Sequence, residues 1–216
     1  MDIKSQINEV LNYYQSLKYD SDSNSIYGEL TVCINDTYEI CLVIGVFPLH
    51  FPSVFETGER IPPTVDRHIY SNSKACCFST SANAQILLKT KIKTLLDFIK
   101  EIVIPYFINN TFYEINGFYA DSTYSHGVDG IIEGYKDILQ LPKDTNDYLI
   151  AQILIRRFKG ENLNIRDKCY CGSGTVLKKC QNGKHDIAYR RFKLIEKELL
   201  INDYNKIMQE KYLELF

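Results

Sequence analysis

IYGELTVCI, residues 26–34, runs through Asn35-Asp36 into YEICLVIGVF, residues 38–47. The first run alternates as a half-buried strand, and Asn35-Asp36 is a turn signal. The second run is apolar enough to lie at the centre of a sheet, and Pro48 ends it. Two strands joined by so short a turn pair antiparallel. Around this pair the rest of the chain falls into place. Upstream, Ile3, Ile7, Val10, Leu11 and Tyr14 share one helical face, so a helix is expected over residues 2–18, broken by the acidic, serine-rich Asp20–Ser25. Downstream, Phe51-Pro52 opens a third extended segment through Phe55, and Gly58 and Pro62-Pro63 mark turns.

Residues 64–87 carry little periodicity. A long irregular stretch inside a compact domain points to function, and this one holds Asp66, Arg67, His68, Cys76 and Cys77. Helical spacing resumes at Ile86, with Leu87, Leu88, Ile92, Leu95, Leu96, Phe98, Ile99 and Ile102 on one broad face, redirected at Pro105. A loop is expected over Gly117–Gly130, with short helices over Ile131–Leu139 and from Pro142 to Arg157. Asp186 is the expected cap of a final helix from Ile187 to Leu215. One helix, a meander of three to four strands, an irregular segment and then helices make an α+β fold rather than an alternating parallel sheet.

The 216 residues suffice for one ordinary domain and an appendage. Hydrophobic residues make up 45% and charged residues 24%, as in soluble globular proteins. The net charge of -2 does not favour nucleic-acid binding in bulk, leaving only a local patch. MDIKSQINEV lacks a basic region followed by an apolar run, so no export signal is expected. No stretch approaches the roughly 18 apolar residues of a membrane span. Seven cysteines, divided into one cluster, one adjacent pair and two in expected strands, suit a reducing cytoplasm better than a disulfide scaffold. Cys33 and Cys41, the two in strands, are expected in the core.

The cysteine cluster is Cys169-Tyr-Cys171-Gly-Ser-Gly174, then Cys180 and His185. Tetrahedral zinc takes four thiolate or imidazole ligands. Cys169 and Cys171 can grip one side of the ion if the chain turns sharply, and Gly172 and Gly174 permit that turn. Cys180 returns as the third ligand, and His185 is the nearby residue able to be the fourth. Lys178 and Lys179 suit the negative field of a thiolate site. The stretch resembles the SEC-C motif, a zinc knuckle found at the end of the bacterial secretion ATPase and as an appendage on other proteins. In that motif a His or Cys directly follows the third cysteine. Here Gln181 follows Cys180, and His185 is its expected substitute. The resemblance implies a structural zinc ion and a docking or stabilising role.

The order of elements, the strand-end prolines of Phe47-Pro48 and Phe51-Pro52, and the block from Arg60-Ile-Pro-Pro-Thr-Val-Asp-Arg-His68 to Lys74-Ala-Cys-Cys-Phe78 resemble the bacterial ubiquitin-conjugating-like proteins. So does Ser125-His126-Gly127-Val-Asp-Gly130-Ile-Ile-Glu133-Gly-Tyr135. The resemblance implies a conjugating-type domain over residues 1–140, followed by a helical linker at 141–164, the knuckle at 165–186 and a C-terminal helix at 187–216. It also implies thioester chemistry with a ubiquitin-like modifier, an activating enzyme and a protein target as partners. Bacterial members of that family occur in conjugation and antiphage-defence gene neighbourhoods.

A thiol suits that chemistry because its thiolate is strongly nucleophilic and its thioester stays reactive toward amines. The resemblance places Cys77 at the nucleophile, with Cys76 as the alternative, since adjacent residues in extended backbone face opposite ways. His68 would shape the loop or transfer a proton, and His126 would assist from the following segment. Ile69 and Tyr70 stand where the family has Pro-Asn, which leaves the oxyanion donor unassigned, with Asn72 as one source of an amide. Asp66 and Asp129 read as solvated carboxylates and His50 as structural. The same residue types would also serve a thiol hydrolase. The rival from another class is a non-catalytic zinc-binding module on a degenerate conjugating fold. An accessible Cys77 with a lowered pKa favours the enzyme, and a buried, inert one favours the module.

Overall fold

The computed structural model describes residues 2–120 and 124–212. It is an α+β protein whose chain divides into two compact units. The first comprises residues 1–79 and 87–123, and the second comprises 80–86 and 124–216.

In the first unit, helix α1 (Ile3–Tyr13) starts where the Asp2 side chain accepts the Ser5 amide at 3.0 Å, the arrangement that stabilises helix N-termini. Its Ile7 and Val10 are buried. The helix ends five residues earlier than the periodicity suggests, because Leu17 and Lys18 are recruited into a strand. That strand, β1 (Leu17–Asp20), pairs antiparallel with β2 (Ser25–Cys33), Leu17 opposite Gly28. The serine-rich stretch is the hairpin turn between them: the Asp20 carboxylate accepts the Asp22 amide at 3.0 Å and the Ser23 hydroxyl at 2.6 Å. β2 pairs with β3 (Asp36–Val43), and β3 with β4 (Ser53–Glu56), giving a four-stranded antiparallel meander in the order β1-β2-β3-β4.

The sheet buries Ile26, Leu30, Val32, Tyr38, Ile40, Leu42 and Val54. Each such side chain contributes roughly 1.5–3 kcal/mol on burial. Phe98, Val103 and Phe107 share this core, the Tyr38 and Phe107 rings stacking at 4.4 Å. Cys33 lies outside the core. The alternation that turns Leu30 and Val32 inward turns Thr31 and Cys33 outward, and Cys33 is exposed, while Cys41 is half-buried.

The long helical pattern after Ile86 is interrupted. Helix α2 (Ser81–Thr90) contributes residues to both units. A reciprocal box between Thr94 and Asp97 starts a new helix, α3 (Leu95–Phe98), which passes through a π-helical turn, Ile99–Val103, into α4 (Ile104–Asn116). Pro105 directly follows the π-helical turn, the kind of local irregularity at which a helix takes up a proline that lacks an amide proton.

The second unit is helical. It contains α5 (Gly127–Leu139), α6 (Asp147–Phe158), α7 (Lys184–Phe192) and α8 (Lys197–Tyr212). The division thus falls near residue 123 rather than 140, because α5 buries Val128, Ile132, Tyr135 and Leu139 in the second core. α6 is not a linker: Ile150 and Leu154 are fully buried in the same core. It begins at Asp147, capped by Asn146, with Pro142 in the preceding turn.

The single final helix expected from Ile187 is two helices. Asp186 lies inside α7 and pairs with Arg190 instead of capping. The chain breaks after Phe192 and lets Ile195 and Leu200 reach the core. The end expected at Leu215 lies outside the described residues. No described helix is long and apolar enough to cross a membrane.

Candidate metal centre and thiol site

The metal cluster is assembled by two turns. Ahead of the first, Lys168 bridges antiparallel to Val176, and the Cys169 amide donates to Thr175 O at 2.8 Å. The loop they close holds Cys169 and Cys171, and Gly172 and Gly174 take φ of +79° and +73° there, a region open to glycine without strain. The second turn follows Cys180. Gln181, Asn182 and Gly183 all adopt left-handed φ, at 48°, 55° and 87°. This run swings the chain back so that His185, in the first turn of α7, faces the sulfurs. It is why the fourth candidate ligand need not directly follow Cys180.

The ligand atoms of Cys169, Cys171, Cys180 and His185 all lie within 4.8 Å of one another. His185 Nδ1 is 3.2 Å from Cys169 Sγ and 3.3 Å from Cys180 Sγ, and Cys171 Sγ is 3.5 Å from Cys180 Sγ. That sulfur separation is far too long for a disulfide, whose bond is about 2.05 Å. It is close to the edge of about 3.8 Å expected of a tetrahedron with metal–sulfur bonds near 2.3 Å. His185 Nε2 sits 3.1 Å from Gln140 O, an atom that only accepts, so the proton is on Nε2 and the Nδ1 lone pair faces the sulfurs. Metal-binding histidines are oriented in this way. The four residues can therefore hold a metal ion.

Tyr170, between the two cysteines, stacks on His185 with ring centroids 5.1 Å apart, and its hydroxyl donates to Leu139 O at 2.6 Å. Burial opposes ionisation of Cys171, but the Ser173 hydroxyl and amide, together with the Cys169 and Cys180 thiols, outweigh it and bring the thiol down to about 6. Burial, with competition from the neighbouring thiols, pushes Cys169 up to about 12. Between these two thiols ionisation is favoured at Cys171. This half-buried residue also borders a groove of about 690 Å³ along Asp137, Leu141 and Thr145.

The irregular segment of the first unit is pinned by its backbone. A 3-10 turn, Val65–Arg67, ends at His68 in a left-handed conformation. The Cys77 amide donates to His68 O at 2.7 Å, and the Cys76 amide donates to Val54 O at 2.8 Å. Tyr106, from α4, reaches beneath with its hydroxyl 3.1 Å from His68 O and 3.2 Å from Arg67 O. The His68 ring packs edge-on against Tyr119 at 5.3 Å.

Cys76 is 5% exposed in the core, and burial pushes its thiol up to about 12. Cys77 is half-buried. Burial raises its pKa too, partly offset by a hydrogen bond from Tyr70 and by the Ser79 amide. The lowered pKa that would mark an activated thiol is absent from Cys77.

Cys77 and His68 are thus brought together through the backbone. His126 belongs to the second unit, as the residue preceding α5. Just before it, the Ser125 amide and hydroxyl both donate to Glu133 at 2.7 Å. A Cβ on Gly130 would fall 1.9 Å from Ser125 O, so that glycine is required by packing. Asp66 is exposed and its carbonyl accepts from Tyr119; Asp129 pairs with Lys211; His50 and Asn72 are exposed. Sequence reasoning missed Tyr70, Tyr106, Ser173, Tyr170 and the Gln140 carbonyl. Tyr170 and Ser173 were legible from their positions inside the cysteine turn, whereas a main-chain acceptor 45 residues from His185 leaves no mark in residue type.

No protein-family model matches this chain, and no curated protein or solved structure matches it.

Proposed function

We propose that the chain is a ubiquitin-conjugating-like protein with a zinc-stabilised second unit. In this reading Cys77 accepts a ubiquitin-like modifier as a thioester and passes it to a target. The carrying observation is the division between the adjacent cysteines. After a four-stranded meander, Cys76 is sealed in the core while Cys77 stays half-exposed.

The step balances as an acyl exchange. The Cys77 sulfur bonds to the modifier's terminal carbonyl carbon, the bond to the activating enzyme's sulfur breaks, and that thiol leaves with the proton Cys77 gives up. An amine on the target then displaces Cys77, forming an amide and restoring the thiol. Because burial holds Cys77 protonated, its proton must be removed within the transfer complex. Tyr70 would steady the sulfur, and His68 holds the loop through its carbonyl. Zinc suits the second unit because three thiolates and an imidazole are its usual structural ligands. Bound there, it fixes the cysteine turn to α7. A reducing cytoplasm fits seven cysteines that are all free.

Incubation with a cognate activating enzyme, ATP and modifier is expected to give an adduct cleaved by thiols. Cys77→Ser should convert it to a thiol-resistant ester or abolish it, and an unchanged adduct removes Cys77 from the role. One observation favours a second reading, a non-catalytic zinc-binding interaction module: the raised pKa of Cys77. No adduct with a competent activating enzyme, together with slow thiol alkylation, would select that module.

A further inference from the structure

We infer that the second unit carries a phosphate-binding face for duplex nucleic acid, formed by the ribbon around the metal turn and the exposed side of α7. Between Arg156 and Lys197 the chain places twelve lysines and arginines against four acidic residues, although the whole protein has a net charge of -2. The total charge hides this surplus because the remainder of the chain is acidic.

Eleven of the twelve cations are exposed. Among the described residues only Arg156 and Arg190 of the set are ion-paired, with Glu161 and Asp186. Backbone bonds bring four of the others together. The Lys178 amide donates to Ile165 O at 3.0 Å and the Leu177 amide to Asp167 O at 2.8 Å, while Lys168 bridges to Val176. Arg166, Lys168 and Lys178 therefore share one short two-stranded ribbon, with Lys179 next in the chain. The ribbon leads directly into the helix, since Lys178 O lies 3.5 Å from the Cβ position of Gly183. On α7, His185, Asp186, Ala188, Tyr189 and Phe192 are buried, which leaves Lys184, Ile187, Arg190 and Arg191 on the outer side.

The partner follows from the chemistry of this face. A field of unpaired cations suits a closely spaced row of phosphates, where binding releases condensed counterions. Single strands are usually held by exposed aromatic platforms, but Tyr170, Tyr189 and Phe192 are buried. Membrane-surface helices carry a broad apolar face with aromatic anchors. Here the exposed apolar side chains are isolated aliphatics, Ile165, Val176 and Ile187. A duplex backbone, contacted without base stacking, fits best.

The test uses the zinc-loaded full chain and a fluorescent random-sequence DNA duplex of about 20 base pairs, followed by anisotropy. With about four phosphates neutralised, affinity should fall about 100-fold between 50 and 200 mM salt. Arg166→Glu/Lys178→Glu and Lys184→Glu/Arg191→Glu should each weaken binding at least tenfold and flatten the salt dependence. Lys18→Glu, in β1, should leave both unchanged. A zinc content equal to the wild type's in each double variant establishes that it is compared as folded protein. Duplex RNA bound with the same dependence supports the backbone reading. No binding at 50 mM salt, binding indifferent to both charge reversals, or stronger binding to phosphatidylserine vesicles or polyglutamate overturns it.

Discussion

His185 donates its Nε2 proton to the carbonyl oxygen of Gln140 across 3.1 Å. The bond leaves Nδ1 as a lone pair aimed at Cys169 and Cys180, 3.2 and 3.3 Å away. It ties the end of α5 to the metal cluster, so losing the imidazole removes a ligand and a tether together. Outer-sphere partners of metal sites are worth about 10–100-fold in affinity. His185→Ala should therefore lower zinc affinity by more than about 100-fold and lower the melting temperature of the zinc-loaded protein. Elemental analysis and chelator competition read the effect, with His126→Ala as the comparison that keeps its zinc. Unchanged zinc content and affinity in His185→Ala would refute the four-ligand assignment.

Cys77 carries a prediction about pH. Burial raises its thiol above the ordinary value of 9.0, and the Tyr70 hydroxyl opposes that rise by donating to the sulfur. Its alkylation rate should keep climbing beyond pH 9, followed by mass spectrometry of the Cys77 peptide. Tyr70→Phe removes a donor that favours the thiolate, so the pKa moves further up. At pH 8 the rate should drop about 2- to 10-fold, the equivalent of one hydrogen bond of about 0.5–1.5 kcal/mol. A rate that levels off below pH 8 would mean that burial does not control this thiol.

Tyr106 tests what holds the segment in place. Its hydroxyl donates to Arg67 O and His68 O. Tyr106→Phe keeps the ring against Phe78 and Phe107 and deletes only the polar link. A loss of about 1–2 kcal/mol is expected in urea unfolding, from buried acceptors left without a donor. Amide exchange should quicken at Cys77, whose N–H is held by His68 O. Unaltered exchange there would show that the loop is fixed by its backbone bonds alone.

These sites were unequally legible in the sequence. The meander was readable because alternation and the Asn35-Asp36 turn are local signals; expecting Cys33 in the core overlooked that same alternation, which turns it outward. The metal residues were readable because thiols and glycines at short spacing state their geometry. β1 was not: Leu17 and Lys18 continue a helical pattern and become strand only because Gly28 and Tyr27 pair with them. The division of the chain was equally hidden. Nothing local says that α5 packs with α7 and α8. That outcome rests on tertiary contacts such as Tyr135 with Phe192, whose rings lie 6.2 Å apart.

Tyr135 also donates its hydroxyl to Asp203 at 2.8 Å, and Asp203 is only 4% exposed. Burial raises the Asp203 pKa, with Tyr135 and Lys206 pulling the other way. A carboxyl raised on folding binds its proton more tightly in the folded state than in the unfolded one. Its stabilising contribution is therefore complete at low pH and is lost as pH climbs through the folded value. Asn at this position stays neutral and can still accept from Tyr135 through Oδ1. Asp203→Asn should match the wild type near pH 4 and become the more stable protein as pH rises toward 8, by on the order of 1 kcal/mol. Comparing the two proteins at each pH cancels the zinc dependence they share, so thermal melts across that range isolate the carboxyl. A stability difference that stays flat with pH would mean that the Asp203 proton is not coupled to folding of the second unit.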